Sequence, residues 1–187
     1  MAGINRLQSL QKFESRSTFL ALGVKCVFLS HQKADGKEAK KIADYLLSLD
    51  IDVYFDEYDK ELISHHQSNN PLKVTESILK GINNSTHMLV LVSPSTIKSQ
   101  WVPFEIGYGY GKTDLSIMCL SGIPKGGLPE YIRTAKIIRD RYDLDSLIPR
   151  LTKSNVTLLK EQRKLFSYED NNHPLRFVLD SLINDQY

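Results

Sequence analysis

The sequence predicts an α/β domain in which helices cover both faces of a parallel sheet. Short apolar runs of strand length alternate with segments whose apolar residues recur at helical spacing, and this alternation is typical of parallel sheets. Residues 87–92 form a continuous apolar run, as expected of a central strand buried on both faces. The 187 residues suffice for one hydrophobic core, and the chain contains no internal repeat. One domain is therefore expected.

The first half of the predicted domain contains two strands and two helices. Residues 24–29 and 51–55 are apolar runs that predict strands. Asp35 and Glu38 have the spacing of a capping box and predict the start of the helix between these strands. The apolar residues of that helix share one face: Ala39, Ile42, Ala43, Leu46 and Leu49. After a long polar stretch, a second short helix is indicated by Val74, Ile78 and Ile82.

The second half continues the alternation from the strand at residues 87–92. Proline is tolerated only in the first turn of a helix, so Pro103 predicts that the third helix begins close to Ser99. Residues 115–120 predict a fourth strand, and residues 135–138 predict a weaker fifth one.

Both ends of the chain show helical spacing of apolar residues. Before the first strand these are Ile4, Leu7, Leu10 and Phe13, and near the end of the chain they are Leu175, Leu179 and Leu182. We therefore predict a domain at residues 24–150, with helical extensions at 1–23 and at 151–187, the second packed on the domain.

Composition excludes several classes of function. The net charge is only +2, from 24 Lys and Arg against 22 Asp and Glu, which is too small for a nucleic-acid binder that depends on a basic field. No apolar run approaches the length of a membrane span, and the N-terminus is too polar for a signal peptide. Cys26 and Cys119 each lie in an apolar run and are expected to be buried free thiols. These features predict a cytoplasmic protein without nucleic-acid or membrane partners.

Polar residues follow the predicted strands where those strands end. Ser30 and His31 follow the first strand, Asp56 the second and Ser93 the third. In open α/β sheets, ligands bind outside the carboxyl ends of the strands, so these residues are candidates for a binding site. Adjacent His65 and His66 lie in a polar stretch without clustered acidic or thiol partners, so no metal site is predicted.

Trp101 and Glu105 allow two interpretations. Residues four apart share a helix face, so an aromatic plate and a carboxylate could face the same crevice. An acid in the first turns of a helix and a tryptophan in a core are also common structural features, and the pattern alone favours this explanation. The glycines and tyrosines at 107–111 do not match a dinucleotide-binding fingerprint, and no nucleophile elbow surrounds Ser30.

Four segments together resemble the TIR domain family, which includes Toll-like receptors and many bacterial immune proteins. They are V-F-L-S-H at 27–31, V-Y-F-D-E at 53–57, L-V-L-V-S-P at 89–94 and S-Q-W-V-P-F-E-I at 99–106. The resemblance spans residues 24–141 in the family's order. It implies a flavodoxin-like, doubly wound parallel sheet of five strands in the order 2-1-3-4-5, with helices on both faces.

The resemblance also implies a substrate site. Catalytic members cleave NAD between nicotinamide and ribose, and Glu105 falls on the family's catalytic glutamate. Trp101 would wall the nicotinamide–ribose region, and the loop after the first strand would face the dinucleotide through Ser30, His31, Gln32 and Lys33. Asp56 would bind a ribose hydroxyl or cap its own loop. NAD is then the substrate, and neither a cofactor nor a metal is needed. The loop at 56–73 departs from the family because it is long and lacks the usual glycine.

On this resemblance we expect an NAD glycohydrolase or ADP-ribosyl cyclase-type hydrolase that releases nicotinamide. The resemblance to stand-alone bacterial TIR proteins of Thoeris type implies a linear or cyclic ADP-ribose signal in antiviral defence, read by a separate effector, with activation by TIR–TIR or homo-oligomeric assembly. The alternative is a non-catalytic TIR adaptor that acts through assembly. A flavodoxin-like nucleoside transferase is a third possibility, against which the L-V-S-P and S-Q-W segments argue.

Overall fold

The computed structural model describes residues 3–6, 25–55, 70–120, 123, 126–138, 140–162, 164–165 and 173–179. Five strands form one parallel sheet: β1 Cys26–Ser30, β2 Asp52–Tyr54, β3 His87–Val92, β4 Asp114–Cys119 and β5 Lys136–Ile138. Their spatial order is β2-β1-β3-β4-β5. The predicted flavodoxin-like α/β fold, with this order, is confirmed.

Helices connect and follow the strands. They are α1 Gly36–Ser48, α2 Pro71–Asn83, α3 Trp101–Gly109, α4 Arg141–Asp145, α5 Ile148–Leu151, α6 Val156–Glu161 and α7 Arg176–Leu179. Short 3-10 turns occupy Lys33–Asp35, Thr96–Lys98 and Glu130–Ile132. None of the helices in the described parts of the chain is both long enough and apolar enough to cross a bilayer.

The sheet separates two apolar layers because successive side chains of a strand point to opposite faces. Val27 and Leu29 of β1 pack with α1 and the helices after β5. Cys26 and Phe28, on the other face of β1, pack with α2 and α3. Both cysteines are free and buried, as predicted, and burial raises the pKa of the Cys26 thiol to about 11. The central strands are therefore covered on both sides.

The start of the first helix differs from the prediction. The Lys33–Asp35 turn precedes α1, and the Asp35 side chain makes no capping hydrogen bond to the helix. Its carboxylate instead accepts hydrogen bonds from Ser93 and Thr96 beyond β3. The capping-box interpretation of Asp35 and Glu38 is wrong, since hydroxyl groups distant in sequence compete successfully for the carboxylate.

The first described residues also depart from the prediction. Residues 3–6 are extended beside β2, where Asn5 forms a parallel bridge with Val53. The Val53 amide donates to the Ile4 carbonyl at 3.0 Å, and the Arg6 amide donates to the Val53 carbonyl at 2.8 Å. The predicted helix therefore does not include Ile4. The edge of β2 instead provides hydrogen-bond partners for the backbone of this segment. Leu7, Leu10 and Phe13 lie outside the described residues.

A buried ion pair holds this N-terminal segment. Arg6 is 1% exposed, and its Nε and Nη2 atoms each donate to Asp52 Oδ2 at 3.1 Å. Lys153 Nζ lies 2.7 Å from the other carboxylate oxygen, and Arg6 Nη1 donates to the Asn84 carbonyl at 2.9 Å. One carboxylate thus joins the segment at 3–6, β2 and the chain after α5.

Segment 173–179 packs on the same face as α1. Leu175 and Val178 belong to the apolar layer there. The Tyr45 hydroxyl donates to Asp145 Oδ1 at 2.6 Å, and the buried His173 ring lies 5.0 Å from the Tyr45 ring. Burial, reinforced by the Asp145 charge, raises the pKa of Tyr45. Of the predicted last helix, α7 is present, whereas Leu182 and the Leu179 side chain lie outside what the structure describes.

Two helical glycines have contrasting surroundings. A Cβ on Gly81 of α2 would lie 2.5 Å from Tyr54 Cε1 and 2.7 Å from Phe28 Cε2, two rings that stack at 5.7 Å. A Cβ on Gly107 of α3 would meet no atom within 4 Å. Gly109, where α3 ends, approaches Met88 of β3. The 107–111 segment therefore combines a close packing contact with a helix end.

Candidate active site

The candidate site lies at the carboxyl edge of the sheet, where β1 meets α3. Ser30 is the last residue of β1, and Glu105 lies in α3; they are 1% and 6% exposed. The Ser30 hydroxyl donates to Glu105 Oε2. Two predicted site residues that are distant in sequence are thus brought into direct contact, and the carboxylate is held by its neighbour.

Ser99 and Pro103 determine where α3 begins. Ser99 Oγ accepts from the backbone amides of Trp101 at 3.3 Å and Val102 at 3.2 Å, which satisfies two amides at the helix N-terminus. Pro103 occupies the first turn, where its missing N–H costs nothing. The prediction that the helix begins near Ser99 is confirmed. Because Val102 is buried against the sheet, α3 is fixed in rotation as well as position.

Trp101 lies one turn before Glu105, at the end of α3 nearest the sheet's carboxyl edge. Its indole is half-buried and meets the Phe104 ring edge-on, with centroids 6.1 Å apart and planes at 85°. Phe104 in turn stacks with Tyr108 at 6.5 Å, and Lys112 Nζ lies 3.6 Å from the Tyr108 ring centroid. An aromatic row therefore runs along one side of α3, with Trp101 at the N-terminal end of the helix.

The loop after β1 brings His31 to the same edge. His31 Nδ1 lies 3.3 Å from the Leu29 carbonyl oxygen. Because a carbonyl only accepts, this contact requires a proton on Nδ1. The ring also packs on Phe55, which follows β2, with centroids 5.2 Å apart. His31 is thereby oriented by both β1 and the end of β2.

The next two predicted residues have different environments. The Gln32 side-chain oxygen accepts from the Ala34 amide and so caps the 3-10 turn. Lys33 is exposed at the start of that turn. The Gln32 oxygen is therefore engaged within the protein, whereas the Lys33 ammonium faces solvent. Asp56, the remaining predicted residue, lies outside the described residues, as do His65 and His66.

The sequence reasoning missed the role of Asp35 and Thr96. Asp35 is 9% exposed, and its Oδ2 lies 2.6 Å from Ser93 Oγ and 3.2 Å from Thr96 Oγ1. The sequence indicates Ser93 only as a polar residue at the end of a strand. The signal that could have found the cluster is the serine–threonine spacing directly after β3, which is typical of a hydroxyl-capped turn.

Comparison with known families places this geometry in context. The family model described as the TIR domain matches residues 27–136, which is more than half of the chain. The chain belongs to the TIR domain family. The matched region runs from β1 into β5 and includes Ser30, the loop that follows it and Glu105. No curated protein matches this TIR protein significantly.

The TIR domain therefore presents a buried carboxylate beside a partly exposed indole. Within the described ranges, no group of three or more His, Cys, Asp or Glu side chains could hold a metal ion. The available chemistry is that of a positioned carboxylate, an aromatic wall and hydrogen-bonding groups from the loop after β1. Such an arrangement suits an electron-poor, hydroxyl-bearing centre.

Proposed function

We propose that this TIR protein cleaves NAD between nicotinamide and ribose, with Glu105 as the catalytic residue. The observation that carries the proposal is the Glu105 carboxylate, which is buried one helical turn after Trp101 and bonded to the Ser30 hydroxyl at the end of β1. Membership of a family that includes NAD-cleaving enzymes supports the same reading.

The reaction needs stabilisation of the ribose more than activation of the leaving group. Nicotinamide is already cationic in NAD and departs as a neutral molecule, so it requires no proton. As the glycosidic bond breaks, the ribose acquires oxocarbenium character, as in other glycoside cleavages. The Glu105 carboxylate binds ribose hydroxyls and stabilises this positive charge, and its burial strengthens the interaction because the local dielectric is low. Attack of water or an internal nucleophile on the ribose carbon completes the exchange.

The surrounding residues position the dinucleotide. The Trp101 indole packs on one face of the nicotinamide–ribose region and holds it in place. His31 lies in the loop that faces the dinucleotide, and the exposed Lys33 ammonium is available to a phosphate. Gln32 acts mainly by holding the turn, since its side-chain oxygen is engaged with a backbone amide. NAD is the substrate, so the proposal requires no separate cofactor.

The product is an ADP-ribose species, either linear or cyclised through an internal nucleophile. By analogy with bacterial TIR enzymes of antiviral defence, the product is a signal that a separate effector reads. TIR–TIR assembly completes or activates the site, consistent with the way in which this family commonly works.

The test compares wild type with Glu105→Gln, using Glu76→Gln as the matched control because Glu76 is exposed on α2. Each protein is incubated with NAD, with and without a crowding agent. Nicotinamide and ADP-ribose species are then separated by chromatography and identified by mass spectrometry. We expect nicotinamide release by wild type and Glu76→Gln, and a loss of about 100-fold or more in Glu105→Gln. Equal release by all three proteins, or none from any, would refute the proposal; absence of release would favour the adaptor.

A further inference from the structure

We propose that Asp35, Ser93 and Thr96 form a positioning link that sets the loop after β1 against the N-terminus of α3, and thereby places Ser30 and Glu105 for reaction. This inference rests on the proposed function of Glu105. The three residues are buried, and they join two segments that are separated in sequence by the whole of α1, β2, α2 and β3.

The hydrogen bonds of this Asp35 link are directional and mutually dependent. Ser93 Oγ donates to Asp35 Oδ2 at 2.6 Å and accepts from the amides of Ser95 and Thr96 at 3.1 and 3.3 Å. Thr96 Oγ1 lies 3.2 Å from the same Asp35 oxygen and 3.0 Å from the Leu91 carbonyl oxygen, and it accepts from the Ser93 amide at 3.1 Å. The Ser93 hydroxyl therefore has defined donor and acceptor roles, whereas the single Thr96 proton is shared between the Asp35 carboxylate and the Leu91 carbonyl.

The burial of Asp35 is costly, and this cost suggests that the link has a positional role. A carboxylate removed from water loses hydration that two hydroxyl groups replace only in part. No cationic side chain in the described parts of the chain is paired with Asp35 within ion-pair distance. Its place at the N-terminal end of α1 contributes only about 0.3–1 kcal/mol. A local helix cap would satisfy the same carboxylate at the surface, so the buried contact with the segment after β3 requires another explanation.

The link and the Ser30–Glu105 bond connect the same two parts of the chain, so that together with the backbone they form a closed loop of contacts. Asp35 follows Ser30 by five residues, and Thr96 precedes Trp101 by five residues. Two contacts therefore join these parts of the chain: the link connects the turn after β1 to the segment before α3, and Ser30 at the end of β1 bonds Glu105 within α3. With both contacts made, the loop cannot tilt against α3. The link therefore adds a second side-chain connection to the one that Ser30 makes with Glu105.

Misplacement of a catalytic group by about 1 Å can cost on the order of 100-fold in rate. We therefore expect Asp35→Ala to lower kcat for NAD cleavage by about 10- to 100-fold, with KM changed less, at a temperature far below unfolding. Asp35→Asn keeps an acceptor oxygen for Ser93 and should restore most of the rate. Asp44→Ala is the matched control, because Asp44 is an exposed carboxylate of α1 paired only with Lys40 among the described residues.

Trp101 gives a second readout that is independent of activity. It is the only tryptophan of the chain and lies beside the segment that the link holds. Acrylamide quenching of its fluorescence should increase in Asp35→Ala, remain near wild type in Asp35→Asn and be unchanged in Asp44→Ala. This measurement distinguishes failure of the link from failure of the proposed function, because it applies even if wild type releases no nicotinamide.

Each outcome decides the inference. A folded Asp35→Ala protein with wild-type kcat and unchanged Trp101 quenching would overturn it. A fall in kcat that disappears once the folded fraction is corrected for would also overturn it, because the role would then be only structural. If wild type is inactive, increased Trp101 quenching that Asp35→Asn reverses supports the link, and unchanged quenching refutes it.

Discussion

Replacing Ser30 by alanine removes the hydroxyl that donates to Glu105 and leaves the end of β1 otherwise similar in volume. A hydrogen bond to a charged group contributes about 1.5–3 kcal/mol, and both partners here are more than nine-tenths buried. Water cannot readily replace the lost donor at such a site. We therefore expect the free energy of unfolding of Ser30→Ala to fall by about 1.5–3 kcal/mol.

The same substitution should slow NAD cleavage. Because about 1.4 kcal/mol corresponds to a factor of ten, loss of the bond that orients the Glu105 carboxylate should lower kcat by about 10- to 100-fold. The proposed substrate contacts of Trp101 and Lys33 would be unaffected, so KM should change less than kcat.

Urea unfolding followed by circular dichroism measures the first effect, and nicotinamide release at saturating NAD measures the second. Ser48→Ala is the control, because the exposed Ser48 hydroxyl donates only to the Tyr45 carbonyl of its own helix. That variant should remain within about 0.5 kcal/mol of wild type. A loss in Ser30→Ala no larger than in Ser48→Ala would refute the reasoning about stability, and unchanged kcat would refute the reasoning about orientation.

Three further predictions concern the fold. Asp52→Asn removes the carboxylate that pairs with the buried Arg6 and should lower the free energy of unfolding in urea by about 3–5 kcal/mol; a loss below about 1 kcal/mol would contradict this. Gly81→Ala should lower the free energy of unfolding by about 1–3 kcal/mol because its methyl group meets two aromatic rings. Gly107→Ala should raise it by about 0.5–1 kcal/mol, since alanine favours the helix and its methyl group meets no atom. A Gly107→Ala protein less stable than Gly81→Ala would contradict this packing. Burial lowers the pKa of His87 below its usual 6.5, so the unfolded chain binds more protons and thermal stability should fall as pH decreases through 6.5. His87→Gln should reduce this dependence in melts between about pH 5 and 8, and an unchanged slope would refute it.

The sequence predicts the sheet well because its central strands are buried on both faces. The apolar run at residues 87–92 coincides with β3, whereas the predicted run at 24–29 is displaced from β1 at Cys26–Ser30. A continuous apolar run marks burial, but the last residue of a strand depends on its neighbours. Ser30 belongs to β1 because it pairs in register with Val90, which no local pattern reveals.

The same distinction applies to the site. The placement of Trp101 and Glu105 one turn apart follows from helical geometry, so it was predictable. That Ser30 donates to Glu105 depends on the packing of α3 against the end of β1, which periodicity does not determine. At Asp35 the local pattern makes a prediction that is wrong. It predicts a helix cap, and a hydrogen bond to the distant Ser93 replaces that cap. The prediction for Ile4 fails for the same reason: pairing of its segment with the edge of β2 overrides the helical spacing of its apolar residues.

The topology explains why the reactive groups meet where they do. The chain leaves β1 for β2 on one side and returns across it to β3 on the other, so the connections after β1 and β3 diverge at neighbouring strand ends. That divergence opens a crevice, and each connection supplies part of the site: Ser30 and His31 from β1, and Trp101 and Glu105 from the segment after β3. Strands whose connections diverge stop pairing at that point, so side-chain contacts help to hold the two walls of the crevice together. This is the structural reason for expecting a side-chain link across it in addition to the Ser30–Glu105 bond.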